Sequence, residues 1–596
     1  MIPAHPTILI LIPLLNLVIP ACSSRPSPVP PNLRVFREPL NPNPLQLVVV
    51  HDNQVVVGGR NTLYHFDADL KLRGKVSTGP RLDNPACLYP TFPCNYTRTT
   101  TDDDIRLLLV IAQDEDEDEP LLLNCGTLYQ GACRVRPLTH IAGPRSAWVG
   151  PLNETVGLVG SPLGSTVGFV STAGTLWTGA TYDEDRPVSK TAVASRELLQ
   201  GDEGFRLEYS HETDTEFTGL HFDPKYRRVY KVDYIHAFEH ENFAYFLQTQ
   251  RVAIESENFE TRLARVCSSD PTFFSYTELP LRCHYGLEVY ALATAAYVGP
   301  AGDLLGRRLK LPGGGAAQVL YVSFVKPMPG HGSGVTDRTK GSVVCSFPMS
   351  TVVEAFTNAT KQCFRAEIRT QLLKHVVGSE MACKSQDSVK IDDNFCGSGL
   401  NHYIGGRESL PGGFRTYLDA QVTSLVVTLQ KGKAVAVAGT DTGDVYKIHL
   451  EKRKQLYALN IADGEEDKAV RRSNALDASH ENVYFLVGDR AVKFPVGSCS
   501  VYRDCGSCLN TDDPLGCGWC GDHCASLEEC ERPAALMTVT CPPVIYEVSG
   551  FHSSHHFIMS LIFIAHRCNS SFYSYHYLNS PEAVNKTLIT FKMNTT

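Results

Sequence analysis

Three features are missing from this chain of 596 residues, and each absence excludes a class of protein. After the first 21 residues, no apolar run approaches the roughly 20 residues that a membrane-spanning helix needs, and the best candidate is residues 557–565. Lys and Arg are scattered and the formal net charge is −9, so the chain offers no basic surface for nucleic acid. No Gly-x-Ser-x-Gly, phosphate-loop or Gly-x-Gly-x-x-Gly motif occurs. We therefore expect that the chain is not an enzyme and binds no cofactor.

The amino terminus is typical of a secreted chain. Residues 7–19 are apolar and Ala21 is small, which predicts a signal peptide over residues 1–21. A Pro-rich lead, residues 22–44, follows it. Asn-x-Ser/Thr sequons fit the same route. They occur at Asn95, Asn153, Asn358, Asn569, Asn585 and Asn594, of which we predict glycosylation at Asn95, Asn153 and Asn358. The predicted location is extracellular or secreted, and the cell surface if the full-length form carries a membrane span.

Eight of the 20 cysteines crowd into residues 499–541. They are Cys499, Cys505, Cys508, Cys517, Cys520, Cys524, Cys530 and Cys541. So short a segment cannot bury enough apolar surface to fold without disulfides or a metal. Two Cys-x-x-Cys pairs suggest zinc, but they lie too close together for a zinc ribbon and leave four cysteines over. Four disulfides are favoured, and spacing alone cannot choose among the 105 possible pairings.

Short strands and turns fill residues 45–497, which divide into seven strand-turn-strand units. Their apolar runs, such as LLLVIA and LVVTL, are nearly continuous, as in strands that are covered on both faces. We therefore predict an all-β fold, a seven-bladed β-propeller, whose radial packing hides strand edges. A pair of β-sandwiches is the alternative.

Two segments invite a chemical interpretation. The acidic run 114–119 could bind calcium, but it lacks the glycine and spaced carbonyl ligands of a calcium loop, so a solvated loop is favoured. The segment 171–177 is similar to the Asp-containing hairpin of sialidases, except that Ala173 replaces the aspartate. An ordinary hairpin turn is favoured there. The sequence shows no paired carboxylates or arginine cluster of a glycosidase, and we predict no metal site.

The cysteine-rich segment, with Gly518-Trp519-Cys520 at its centre, resembles the PSI module of plexins, semaphorins and integrins. The stretches GPRLDNPACLYP, NCGTLYQGACRVRPL and KIDDNFCGSGLNHYIGG each resemble plexin sema-domain segments, in the same order. The chain is therefore similar to the extracellular head of a plexin, which implies a sema propeller over residues 45–497 and a PSI module over residues 498–541. Residues 542–550 resemble the start of an IPT stalk repeat, and the tail, residues 551–596, diverges and is predicted to be disordered.

The resemblance also implies a disulfide pairing. The implied bridges are Cys87–Cys94, Cys125–Cys133, Cys267–Cys396, Cys283–Cys345, Cys363–Cys383, Cys499–Cys517, Cys505–Cys541, Cys508–Cys524 and Cys520–Cys530.

Plexins are semaphorin receptors, so the resemblance implies that this chain binds the sema domain of a semaphorin, with co-receptors as further candidate partners. A soluble decoy form of the same head and an extracellular propeller hydrolase are the alternatives. In the family, semaphorins contact loops of the third and fourth blades. We assign the polar segment 181–199 to the connection between those blades and predict ligand contacts at Asp183, Arg186 and Arg196. A mobile linker with solvated charges is the alternative.

Overall fold

The computed structural model describes most of the chain. It covers residues 33–37, 43–87, 94–111, 119–143, 147–148, 158–182, 191–201, 204–208, 219–328, 335–367, 370–379, 383–386, 388–526, 528–530, 544–547, 562–568, 571–577 and 589–592.

Sheets A, B and C come first along the chain. Sheet A contains Leu45–His51, Gln54–Gly59, Thr62–Asp67 and Leu72–Ser77. Sheet B contains Leu107–Ile111, Leu121–Cys125, Cys133–Pro137 and Ala147–Trp148. Sheet C contains Thr166–Val170, Thr175–Ala180, Val193–Gly201, Gly204–Glu208 and Gly219–Leu220.

Sheets D to G follow. Sheet D contains Asp233–His240, Phe243–Arg251, Phe259–Cys267, Thr277–Tyr285, Glu288–Tyr290, Thr370–Leu372, Ile404–Gly406 and Leu410–Pro411. Sheet E contains Leu292–Pro300, Gln318–Val325, Ser342–Pro348 and Gly413–Leu418. Sheet F contains Val422–Gln430, Lys433–Thr440, Asp444–His449 and Lys454–Asn460. Sheet G contains Val470–Leu476, Asn482–Val487, Arg490–Pro495 and Arg34–Arg37.

The sheets form a propeller because their first strands touch one another in a closed ring. Each first strand contacts the first strand of the next sheet, and the ring closes where Val470–Leu476 of sheet G contacts Leu45–His51 of sheet A. The valines of these strands account both for strand formation and for the burial of the strands. Val55 and Val57 are fully buried, and their branched side chains suit a pleated strand that is covered on both faces. The Asp52 turn that starts this hairpin has a φ of 50°, which Asp tolerates in tight turns.

The prediction of seven blades within residues 45–497 is wrong. Among the described residues of that range, six sheets, A to F, have four or more strands. The last three strands, residues 470–495, need a partner from the lead, since Arg34–Arg37 pairs antiparallel with Arg490–Pro495. The sheets are also unequal: sheet C has five strands and sheet D has eight. The propeller therefore begins before the predicted boundary at residue 45, because the ring is sealed by a strand from its own amino terminus.

A long insertion separates the third and fourth strands of sheet E. It begins with the helix Met349–Phe364, whose Val352 and Phe356 are buried in the core shared by sheets D and E. Other helical segments are short. They are Leu128–Gln130, Pro224–Tyr226, Asp303–Leu309, Gly314–Ala316, Cys499–Val501 and Cys505–Leu509. Among the described residues, no helix is both long enough and apolar enough to cross a bilayer.

Three smaller sheets complete the described structure. They pair Arg81–Asp83 with Thr99–Thr101, pair Cys517–Cys520 with His523–Ser526, and join Val544–Glu547, Ile562–Cys568, Ser571–Tyr577 and Ile589–Lys592. The last sheet places strands inside the tail that was predicted to be disordered.

Candidate ligand-binding surface

The predicted ligand loop lies within one sheet, which corrects its assignment to the connection between two blades. Thr175–Ala180 and Val193–Gly201 are neighbouring antiparallel strands of sheet C, with Leu176 opposite Arg196. The segment 181–192 therefore joins two strands of the same sheet. Sheets C and D are joined by residues 221–232, which follow Gly219–Leu220. Whether a polar segment connects two strands of one sheet or two different sheets depends on strand pairing, which the polarity of the sequence does not show.

The three predicted contact residues have different positions. Asp183 and Arg186 lie outside the described residues. Arg196 lies in a strand, where its side chain is only 6% exposed and its Nη1 donates to the Ser195 carbonyl. Arg196 therefore supports the sheet from inside, and its role as a ligand contact stays a prediction.

Three exposed valines lie on segments that contact one another where sheets C and D meet the insertion. Val229 is 48% exposed, Val252 is 38% exposed and Val377 is 50% exposed. Two contacts bring their segments together: the Tyr230 hydroxyl donates to the Arg251 carbonyl at 3.2 Å, and the Val377 amide donates to the His221 carbonyl at 2.9 Å. We call these three residues the valine patch.

An aromatic stack holds the segments that carry the valine patch. The rings of Tyr230 and His375 stack with centroids 4.3 Å apart, and Phe222 meets His375 edge-on at 4.8 Å. Tyr182 meets Phe222 edge-on at 6.3 Å. Because Tyr182 directly precedes Asp183, the predicted ligand loop starts beside the same stack.

Beneath the stack, the fully buried carboxylate of Glu278 accepts hydrogen bonds from two side chains of the strand Phe243–Arg251 and from Tyr276, which directly precedes the strand of Glu278. Gln250 donates to it at 2.8 Å, the Tyr276 hydroxyl at 2.9 Å and Gln248 at 3.1 Å. Buried polar groups normally find such partners, because an unpaired one costs free energy. The network fixes the strands against one another, so the surface above it is preorganised for binding.

Arg262 and His375 complete this network. Arg262 Nη1 lies 3.6 Å from Glu278, and its Nη2 lies 2.7 Å from Glu260. His375 Nε2 lies 3.8 Å from Glu278, beyond hydrogen-bond distance. Burial by itself would raise the pKa of Glu278, but His375, Arg262 and the Tyr276 hydroxyl outweigh burial and hold that pKa at about 2. The carboxylate is therefore charged at neutral pH, although it is excluded from water.

Disulfides brace the insertion and the cysteine-rich module. Cys267–Cys396 and Cys363–Cys383 tie the insertion to sheet D and to itself. The other bridges among the described residues are Cys87–Cys94, Cys125–Cys133, Cys283–Cys345, Cys499–Cys517, Cys508–Cys524 and Cys520–Cys530. These are the partners that the family resemblance implies. Cys541, the implied partner of Cys505, lies outside the described residues. In the part of the chain that the structure describes, no group of His, Cys, Asp and Glu could hold a metal ion.

Two of the three predicted glycosylation sites are described. Asn95 is exposed beside Cys94, and Asn358 is exposed on the helix Met349–Phe364. Asn153 lies outside the described residues, as do the tail sequons. Glycosylation at all three sites stays a prediction.

A cluster of arginines at the axis of the ring was not predicted from the sequence. Arg60, Arg106, Arg471 and Arg472 line one central cavity, although they are separated by up to several hundred residues in the chain. Asp467 is the one carboxylate among the described residues that line it, so the paired carboxylates of a glycosidase do not face this cavity.

Comparison with known proteins defines the class first. Residues 306–476 match the Sema domain family, and residues 498–542 match the plexin repeat, PSI. The chain is thus similar to the Sema domain in the second half of its propeller and to the PSI module in the segment that follows.

The relatives with similar sequences and folds include plexins. Mouse Plexin-A4 is 28% identical over 505 residues, which are 80% of this chain and 26% of that protein. The full extracellular region of Plexin A4 has the same fold, with a TM-score of 0.73, 24% identity, and coverage of 94% of this chain and 67% of that one. A chain in the structure of Drosophila Plexin A in complex with Semaphorin 1b matches with a TM-score of 0.50, at 16% identity, over 83% of this chain and 93% of that one. The predicted resemblance to plexins is confirmed, and the chain spans about a quarter of the length of its curated plexin relatives.

Proposed function

We propose that this chain is the extracellular, semaphorin-binding head of a plexin-type receptor. The observation that carries the proposal is the succession of a Sema propeller and a PSI module, with plexin-A similarity over most of the chain. Drosophila Plexin A is bound to Semaphorin 1b in the related complex, which supports a semaphorin as the partner class. The chain acts by binding, without chemistry of its own, and the soluble decoy and the propeller hydrolase are not favoured.

The valine patch and the adjoining loop form the proposed contact surface. Exposed apolar side chains that cluster over a rigid base are typical of the centre of a protein–protein interface. Asp183 and Arg186 are the further proposed contacts, and charges at the rim of an interface steer association. The Glu278 network and the aromatic stack keep the base in one conformation, so little conformational entropy is lost on binding.

Binding measurements test this function. The purified chain is immobilised and titrated with a panel of semaphorin sema domains. Binding by at least one semaphorin is expected, and no binding across the panel would overturn the proposed function.

Two variants locate the surface. Val229→Glu and Val377→Glu place a charge at the proposed centre and should weaken binding at least ~10-fold, about 1.4 kcal/mol. The matched control is Leu72→Glu, because Leu72 is 46% exposed on the outer strand of sheet A. Arg186→Glu is a separate test of the proposed polar contact. If wild-type binding is present and all three variants bind equally well, the function stands and this surface is wrong.

A further inference from the structure

The axis of the ring contains a cavity of about 710 Å³. Residues at the first strands of sheets A, B, C, D, E and G line it. Its volume falls within the range of about 300–1,000 Å³ that small-ligand sites in proteins occupy. The cavity is built by the propeller core, and it is distinct from the valine patch at the junction of sheets C and D.

Three of the four arginines at this cavity already have a carboxylate partner. Arg60 Nε lies 2.9 Å from Asp104, Arg471 Nη2 lies 2.6 Å from Asp467, and Arg472 Nη2 lies 3.4 Å from Asp233. Each of these pairs is neutral in total charge. The fourth arginine, Arg106, forms no such ion pair among the described residues.

Arg106 is the surplus cation. Its Nε is buried and has no hydrogen-bond acceptor among the described residues. Asp104, two residues earlier in the chain, is engaged by Arg60 and also accepts from Gln46 Nε2 at 3.1 Å. Burial lowers the pKa of Arg106, and the charge of Asp104 opposes that shift only in part. A guanidinium whose buried Nε lacks an acceptor calls for a ligand that supplies one.

The other titratable group at the cavity adds no charge. His236 lines it, and burial lowers the pKa of His236 to about 4. This imidazole is therefore neutral at physiological pH. Four arginines and three partner carboxylates leave one positive charge, and it resides on Arg106.

We propose that the axial cavity binds a small ligand that carries a sulfate or phosphate group, with Arg106 as the principal cation. Guanidinium groups favour such oxyanions because their planar N–H donors match two oxygens at once. The proposal adds a small-molecule site to the propeller and does not depend on semaphorin binding. The anion is either free or attached to a sugar, and the experiment separates these sources.

Calorimetric titration at low ionic strength tests the site. The probes are sodium sulfate, sodium phosphate and a sulfated disaccharide, with sodium chloride at equal ionic strength as the reference. Saturable binding of one oxyanion probe is expected, and Arg106→Gln should weaken it at least 10-fold. Arg73→Gln is the matched control, because Arg73 is exposed on the outer strand of sheet A. Tighter binding of the disaccharide assigns the site to a sugar sulfate, and equal binding assigns it to the free anion.

Two outcomes would overturn the site: no saturable binding of any oxyanion probe, or equal affinities of the wild type and Arg106→Gln. If Arg106→Gln does not fold, hydrogen exchange of the wild-type chain decides. Slower exchange across residues 104–109 in the presence of the best-binding probe supports the site, and unchanged exchange there overturns it.

Discussion

The guanidinium of Arg472 donates a 3.0 Å hydrogen bond to the main-chain carbonyl of Tyr234, 238 residues earlier in the chain. Arg472 belongs to sheet G and Tyr234 to sheet D, which are not neighbours in the ring. The same side chain donates to the Thr294 carbonyl in sheet E at 3.2 Å. One arginine thus links three sheets across the axis.

Replacing Arg472 should loosen the ring. Arg472→Ala removes two hydrogen bonds from a charged donor, and we expect a loss of about 1–2 kcal/mol in the free energy of unfolding, because the side chain is partly exposed. Chemical denaturation measures it, with Arg73→Ala as control. Equal midpoints for the two variants would contradict a bracing role.

The PSI module is anchored by an ion pair that water does not reach. Lys447 Nζ lies 2.7 Å from Asp513, and both side chains are 0% exposed. Asp513→Ala leaves the ammonium group buried and unpaired, so we expect a loss of ~3–5 kcal/mol. The double variant Lys447→Met, Asp513→Leu should recover most of that loss, since it removes both charges. Thermal denaturation compares the three proteins, and a double variant as unstable as Asp513→Ala would contradict this account.

Glu278 should make stability depend on pH in the acid range. Its pKa in the folded protein is held at about 2, below the ordinary value of 4.5. The ionised carboxylate therefore stabilises the fold above about pH 5, and this contribution is lost as the pH falls towards 2. Glu278→Gln should be less stable at pH 7 and should lose less stability on acidification. Unfolding free energies at pH 7 and pH 4 check this, and parallel pH profiles for wild type and variant would refute it.

Arg196→Glu separates a ligand contact from a structural role. Since Arg196 is 6% exposed, the substitution buries a carboxylate in sheet C and should lower the thermal midpoint. Any loss of semaphorin binding should then accompany the loss of folded protein. Weakened binding by a variant with an unchanged midpoint would instead identify Arg196 as a direct contact.

Disulfide mapping tests the cysteine-rich module. We predict no free thiol among its eight cysteines and a Cys505–Cys541 bridge, because small extracellular modules rely on such bonds. Mass mapping of the non-reduced chain gives the result. Cys505 and Cys508 recovered as thiols, together with bound zinc, would be the contrary finding.

Part of the Glu278 network could have been predicted from the sequence. The members of two pairs are two positions apart and so face the same side of their strand: Gln248 and Gln250, and Glu260 and Arg262. Tyr276 and Glu278 have the same spacing. Polar pairs at that spacing inside apolar strands indicate a shared buried site. The partner from the insertion, His375, has no such signal, because the path of the insertion depends on tertiary contacts.

The axial arginines and the ring closure could not be predicted in the same way. Arg106 and Arg472 meet at one cavity only because their sheets are arranged around an axis. Likewise, nothing local marks Arg34–Arg37 as the partner of Arg490–Pro495. The cysteine spacing and the strand-rich pattern, in contrast, are local features, and they were sufficient to indicate the PSI module and the β-propeller.

The closing strand has a consequence for synthesis. Arg34–Arg37 leaves the ribosome before the other strands of the propeller, and its partner strand emerges roughly 450 residues later. At about 5–20 residues per second, that delay is on the order of a minute. During this interval the nascent chain carries an unpaired strand. After Arg490–Pro495 has emerged, its edge stays uncovered until the two strands meet. Closure of the propeller therefore depends on keeping Arg34–Arg37 available for a strand that is made much later.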